Sequence, residues 1–113
     1  MPALTAGPPE RYRAIEVQAG ARRATVPAAQ AGRIAPLLIA RDFGPPSSLA
    51  EYGLDHPSAA VSFATATGTI TISIGQPNFD GTGFYAKRDD RLDVYLVLAG
   101  PIRPVLALVG VTG

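Results

Sequence analysis

Any bond-making chemistry in this sequence has to come from a small set of side chains. Asp55 and His56 are neighbours, and an imidazole beside a carboxylate is the minimum for general acid–base work. Asp42 is a second carboxylate that folding could bring to the same imidazole. Such a pair is productive only with a nucleophile or a water held in geometry. Ser47, Ser48, Ser58, Ser62 and Ser73 lie outside any nucleophile-elbow pattern. A histidine before proline in a turn reads more simply as a solvated or hydrogen-bonded side chain. Asp89 and Asp90 pair carboxylates in sequence, but adjacent positions of a tight turn face water, here beside Arg88 and Arg91.

The run Asn78-Phe79-Asp80-Gly81-Thr82-Gly83 offers alternating oxygen ligands and a glycine, as a calcium loop does. It lacks the further acids and the downstream bidentate glutamate. Its glycines also suggest a phosphate cradle, but no P-loop lysine follows and no helix is expected to start there. The residues are what any strand-to-strand loop uses. Five aromatics, Tyr52, Phe79, Phe84, Tyr85 and Tyr95, could supply a stacking platform for a sugar or peptide. Phe79, Phe84 and Tyr85, around the 76–83 loop, are the candidate binding surface. Strand alternation puts Phe84 and Tyr85 on opposite faces, so one of them is expected to be exposed or covered by a neighbour. Open sheet edges give a second route, by strand addition. No catalytic, metal-binding or cofactor-binding residue is assigned.

Composition narrows the classes. The 113 residues support a single domain, and 47% apolar against 17% charged residues argues against a disordered tail. With no cysteine there is no disulfide or thiolate chemistry, and one histidine excludes a two-histidine metal motif within the chain. A net charge of +1 gives no general grip on nucleic acid. Residues 1 to 50 carry six arginines against three acids, and the remainder four cations against six acids. This unevenness reads as a mixed, solvated surface. No apolar run approaches the roughly 20 residues that span a bilayer, so the chain as given is expected to be soluble and not inserted in a membrane.

The elements that would position these residues can be read in order. Residues 1–9, with three prolines, are expected to be a flexible arm, and 10–113 a single α+β domain. Ile15 and Val17 alternate with Glu16 and Gln18, and Ala24 and Val26 follow a glycine turn, which predicts a β-hairpin. Ala28, Ala31, Ile34, Ala35 and Leu38 have helical spacing behind Pro27, with Pro36 kinking or dividing the helix at Ala35. Gly44 to Ser48 is a linker. Ser48 and Glu51 fit a capping box for one helical turn that Gly53 ends. Val61 and Phe63, then Ile70, Ile72 and Ile74, alternate with small or hydroxyl residues, the strongest strand signal in the chain. Phe84–Lys87 and Asp93–Leu98 follow as strands, the second apolar on both faces. Gly100–Pro104 breaks the chain before a short element, helix or strand, at Val105–Val109. The sum is α+β: an N-terminal hairpin, one helix, a mainly antiparallel four-stranded meander and a short C-terminal element.

The segment Leu49-Ala-Glu-Tyr-Gly-Leu-Asp-His-Pro57, followed by Ile74-Gly75, Gly83-Phe-Tyr-Ala86 and Val94-Tyr-Leu-Val97, resembles the domain-of-unknown-function 4340 family in order and spacing. The resemblance covers roughly residues 14 to 108, with its specific part at 49 to 97. It implies a single repeat unit of a bacterial or archaeal family. Many members of that family carry an N-terminal membrane anchor and project soluble repeats outside the cytoplasm, some encoded beside ABC-type transport components. That would make the unit extracytoplasmic if it is part of an anchored member; no anchor is expected within the sequence as given, and the stretch between the expected helix and Tyr52-Gly53-Leu54 is short for the family. The family has no established catalytic residues to carry over. Independently of the name, Tyr52, Gly53, Leu54, Asp55 and Pro57 read as a structural turn: Tyr52 and Leu54 pin it to the sheet, Gly53 reverses the chain, and Asp55 accepts backbone N–H bonds. The reading that follows is a non-enzymatic interaction or scaffold module for a protein partner or sibling repeat. The alternative is a small hydrolase or ligand-binding enzyme using His56 and nearby carboxylates.

Overall fold

Isoleucines at alternate positions can all be buried only if the chain is extended, and that requirement organises the fold. The computed structural model describes residues 12–27, 31, 34 and 37–111. Among the described residues, seven strands form one sheet: β1 (Ala14–Ala19), β2 (Arg22–Thr25), β3 (Ile39–Asp42), β4 (Ala59–Thr65), β5 (Gly68–Pro77), β6 (Gly83–Arg88) and β7 (Tyr95–Leu98). Their spatial order is β2-β1-β4-β5-β6-β7-β3 and every pairing is antiparallel. A helix, α1 (Ala99–Ala107), follows β7 directly.

The register carries the apolar residues across the sheet in rows. Val17 lies opposite Val61, and Val61 opposite Ile72. A second row runs Ala59, Ile74, Ala86, Tyr95. These side chains, with Phe63, Phe84 and Val97, are buried on one face and share a core with Ile102, Val105 and Leu106 of α1 and with Ile34 and Leu37. Each buried isoleucine stabilises the fold by roughly 1.5–3 kcal/mol. Ile70, at the outer end of the isoleucine ladder, is only partly buried. The opposite face of β1, β4 and β5 carries the hydroxyls and charges, and Ser62 and Thr71 meet there across strands (Oγ to Oγ1, 3.5 Å).

The α+β class stands, but the arrangement differs from the expected one. The hairpin is not a separate unit, because β1 pairs with β4 on its other side. The later strands are not a sheet of four, because β3 adds to β7 at the far edge. β3 left little trace in the sequence: Ile-Ala-Arg-Asp has no alternation, and its register shifts between Ile39 and Arg41. Backbone groups define it, with the Leu98 N–H donating to Leu38 C=O (3.3 Å) and the Phe43 N–H to Val94 C=O (2.9 Å). Leu38 is therefore bridged to the sheet and not the end of a helix. Ala31 and Ile34 are helical, with the Ala31 N–H donating to Pro27 C=O (2.9 Å). The expected arm at 1–9 and the expected kink at Ala35–Pro36 lie outside the described residues.

The expected break at Gly100–Pro104 is instead the first half of α1. Pro101 falls in the first turn, where an N–H has no intrahelical partner to lose. Pro104 removes one bond. The burial of Ile102, Val105 and Leu106 outweighs that loss. Among the described residues, no helix is long and apolar enough to cross a membrane.

Candidate functional site

The chain between β3 and β4 crosses back over the sheet face opposite the core. A 3-10 turn, Leu49–Tyr52, sits in it. The Ser48 hydroxyl caps that turn by accepting the Ala50 N–H (3.2 Å), one residue earlier than a capping box would use. Gly53 ends it at φ +70°, a left-handed conformation open to glycine at no steric cost. Tyr52 and Leu54 then face the sheet. Leu54 is buried, and the Tyr52 ring lies 5.0 Å from Tyr85 and 5.8 Å from Phe43. Phe43 also meets Tyr85 at 5.7 Å, and the Arg41 guanidinium covers Phe43 at 5.1 Å. Gly75 lets the crossing segment approach: a Cβ there would collide with the Tyr52 carbonyl oxygen and press on Leu54. The Gln76 side chain adds a bond from Nε2 to the Glu51 carbonyl (3.1 Å). Asp55 accepts the adjacent His56 N–H (3.0 Å). Tyr52, Gly53, Leu54 and Asp55 thus sit in one turn held to the sheet, with exposed Pro57 leading into β4.

The β5–β6 loop is built differently. The Asn78 N–H donates to Gly83 C=O (2.9 Å), and the Gly81 N–H to Asn78 C=O (3.1 Å). Asn78 Oδ1 accepts the Gly83 N–H and its Nδ2 donates to Thr82 Oγ1, both at 3.1 Å. Asp80 Oδ1 accepts both the Thr82 N–H (3.1 Å) and the Thr82 hydroxyl (2.7 Å). Those Thr82 bonds hold the Asp80 carboxyl below its ordinary range. From α1, Arg103 reaches back to donate to Gly81 C=O at 2.6 Å. Of the oxygens that a calcium reading would assign to a cation, Asn78 Oδ1, Asp80 Oδ1 and Thr82 Oγ1 are engaged within the loop. At its tip Phe79 is 99% exposed.

The structure therefore separates the three aromatics grouped from the sequence. Phe84 is 1% exposed, in the core with the Arg103 guanidinium 5.9 Å above its ring, so it leaves the candidate surface. Tyr85, on the opposite face as alternation requires, is half-buried in the cluster with Tyr52 and Phe43. Phe79 alone of the three projects into solvent. Phe43 and Arg103 were missed. An aromatic next to a Gly-Pro-Pro linker gave no periodic cue, and Arg103 acts across 22 residues of sequence.

The acid–base candidates do not converge. The His56 side chain is 94% exposed, with Asp55 Oδ2 4.0 Å from its Nε2. Asp42 pairs with Tyr95, four strands from Ala59 along its row. That is roughly 19 Å at about 4.8 Å per strand. Asp42 instead accepts the Gly44 N–H (2.8 Å) and lies beside Asp93. Asp90 pairs with Arg88, whose Nη2 donates to Oδ2 at 2.9 Å. That bond holds the Asp90 carboxyl below its ordinary range. No group of three or more His, Cys, Asp or Glu among the described residues is placed to hold a metal ion.

Comparison with curated proteins and with solved structures found no match. The family described as Domain of unknown function (DUF4340) matches residues 17–103, a span that runs from β1 through the capped turn and the β5–β6 loop into α1. The elements that build the turn and the loop all fall inside that match, and the chain belongs to the DUF4340 family.

Proposed function

We propose that this chain is a non-catalytic interaction module: a single repeat unit that docks a protein partner or a sibling repeat. Its setting would be a bacterial or archaeal envelope assembly of the kind associated with ABC-type transport. The observation that carries the reading is Phe79, almost wholly exposed at the tip of a loop whose polar groups bond to one another. A loop needs no phenylalanine at its apex to fold, whereas large aromatics held in rigid surroundings are what protein interfaces use as anchors.

Two further observations weigh on the choice of surface and class. Both edge strands are only four residues long and carry charge, Arg22 and Arg23 on β2 and Arg41 and Asp42 on β3. Short charged edges discourage strand addition, which favours the loop over the edges as the docking element. His56 is exposed and lies far from Asp42 along the sheet, so these two do not form the acid–base pair that the hydrolase reading would use.

The test is to cross-link the full-length protein in its own cells, identify its complex and rebuild that complex from purified parts. A stoichiometric complex formed with equal Kd by wild type and His56→Ala is expected. Turnover of ester, phosphoester or peptide probes that His56→Ala loses would overturn the reading.

A further inference from the structure

We infer that the loop end of the sheet is an acid-rimmed plug, with Phe79 as its anchor, and that its partner is a protein presenting an apolar pocket edged by lysine or arginine. This rests on the interaction-module reading and names the chemistry of the partner. Three elements meet at that end of the sheet. The β5–β6 loop brings Phe79 and Asp80. The 3-10 turn, tied to β5 through the Gln76–Glu51 bond, brings Leu49 and Glu51. The turn before β4, fixed by the Ser58 N–H on Ile74 C=O (2.9 Å), brings Asp55. Phe79 and Leu49 are exposed apolar residues, and Glu51, Asp55 and Asp80 are exposed acids.

The order of the loop favours binding. Phe79 is the second residue of the Asn78–Gly81 turn, and the bonds within the loop, with the Arg103 clamp on Gly81, fix the backbone beneath it. A partner therefore pays little further backbone entropy to receive the ring. The charge selects the partner. Arg103, which donates to the Gly81 carbonyl, keeps its positive charge at the loop, and Glu51, Asp55 and Asp80 outnumber it. An excess of acids at the same end as the apolar plug complements a basic rim and is repelled by anionic lipid, which attracts aromatic loops flanked by lysine and arginine. A protein pocket is thus favoured over a membrane surface. At the opposite end of the sheet, Leu92 is 75% exposed in the segment before β7, and it provides an exposed apolar control away from the loop.

The test uses the full chain carrying a photo-reactive benzoylphenylalanine at position 79 or, as control, at 92. The protein cross-linked from 79 is identified, purified and titrated with wild type, Phe79→Ser, Phe79→Leu and Glu51→Lys, after NMR spectra confirm that each variant keeps the loop. The same proteins are titrated with vesicles of phosphatidylglycerol and phosphatidylcholine. Expected are a cross-link from 79 and not from 92, and at least a tenfold rise in Kd for Phe79→Ser. Phe79→Leu should change Kd by less than threefold, and Glu51→Lys should weaken binding more at low salt than at high. A partner that binds Phe79→Ser as tightly as wild type overturns the anchor and leaves the module reading standing. So does a partner that binds Glu51→Lys more tightly, or Phe79-dependent binding to the vesicles. A chain that cross-links no protein and forms no complex by any surface overturns both.

Discussion

Two carboxylates at the end of β3 show how a single side chain can oppose the fold. Asp93 is held above its ordinary value of 3.8, first by loss of solvent and then by its hydrogen bond and charge contact with Asp42; Arg91 offsets this in part. A carboxyl raised in the folded state takes up a proton on folding. Its favourable contribution is complete below pH 3.8 and is lost as pH rises through the folded value, so at neutral pH the ionised Asp93 works against the fold. Asp80 and Asp90 have the opposite sign: held low by Thr82 and Arg88, they support the fold above their ordinary value and cease to as pH falls through the folded one. Asp93→Asn should therefore raise Tm at pH 7, with the gap to wild type closing as thermal melts are repeated down to pH 3. A gap that holds constant through that range would mean that Asp93 keeps its ordinary ionisation. Nothing in the sequence pointed to this pair, since Asp42 and Asp93 are 51 positions apart and meet through the pairing of β3 with β7. The turn around Gly53 was legible because a hydroxyl cap and a left-handed glycine act within five residues.

Among the elements, β5 was the most legible and is where side-chain periodicity makes a quantitative claim. Ile72 and Ile74 are fully buried while Ile70, on the same face, is only partly so. The strand passes from the centre of the core to its margin, so equal truncations should have unequal costs. Ile72→Ala should destabilise by about 2–5 kcal/mol, the range for a buried isoleucine that leaves a cavity, and Ile70→Ala by clearly less. Urea unfolding at constant m-value measures both, and equal losses would place the whole ladder at one depth. Elements whose stability comes from elsewhere were illegible. β3 exists because β7 has a free edge to satisfy, and α1 forms through Pro101 and Pro104 because three buried side chains hold it to the sheet. Local pattern carries no record of either. Alternation likewise assigned Phe84 and Tyr85 to opposite faces without saying which face the core would occupy, so the candidate surface named from sequence contained one core residue.

For the whole molecule, a single antiparallel sheet raises a question that its core does not answer, namely what keeps its two edges from pairing with other chains. One face is covered by α1 and part of the other by the segment between β3 and β4, but among the described residues β2 and β3 end the order with no strand beyond them. Unpaired N–H and C=O groups on a flat edge are templates for aggregation. β2 meets this with brevity and two adjacent arginines, which on neighbouring strand positions point to opposite faces, so an incoming copy of β2 meets like charge on either side. β3 meets it with the register shift after Ile39 and the Arg41-Asp42 pair. Replacing Arg22 and Arg23 together by threonine keeps good strand formers there and removes the repulsion. The double variant should fold with a Tm near that of wild type, because both side chains are exposed, yet show concentration-dependent association by sedimentation velocity at low salt. Adding a lysine at Thr25 of the double variant should reverse much of it. If the double variant remained monomeric at concentrations where wild type does, the arginines would not be what guards the edge, and protection would fall to the shortness of β2 alone.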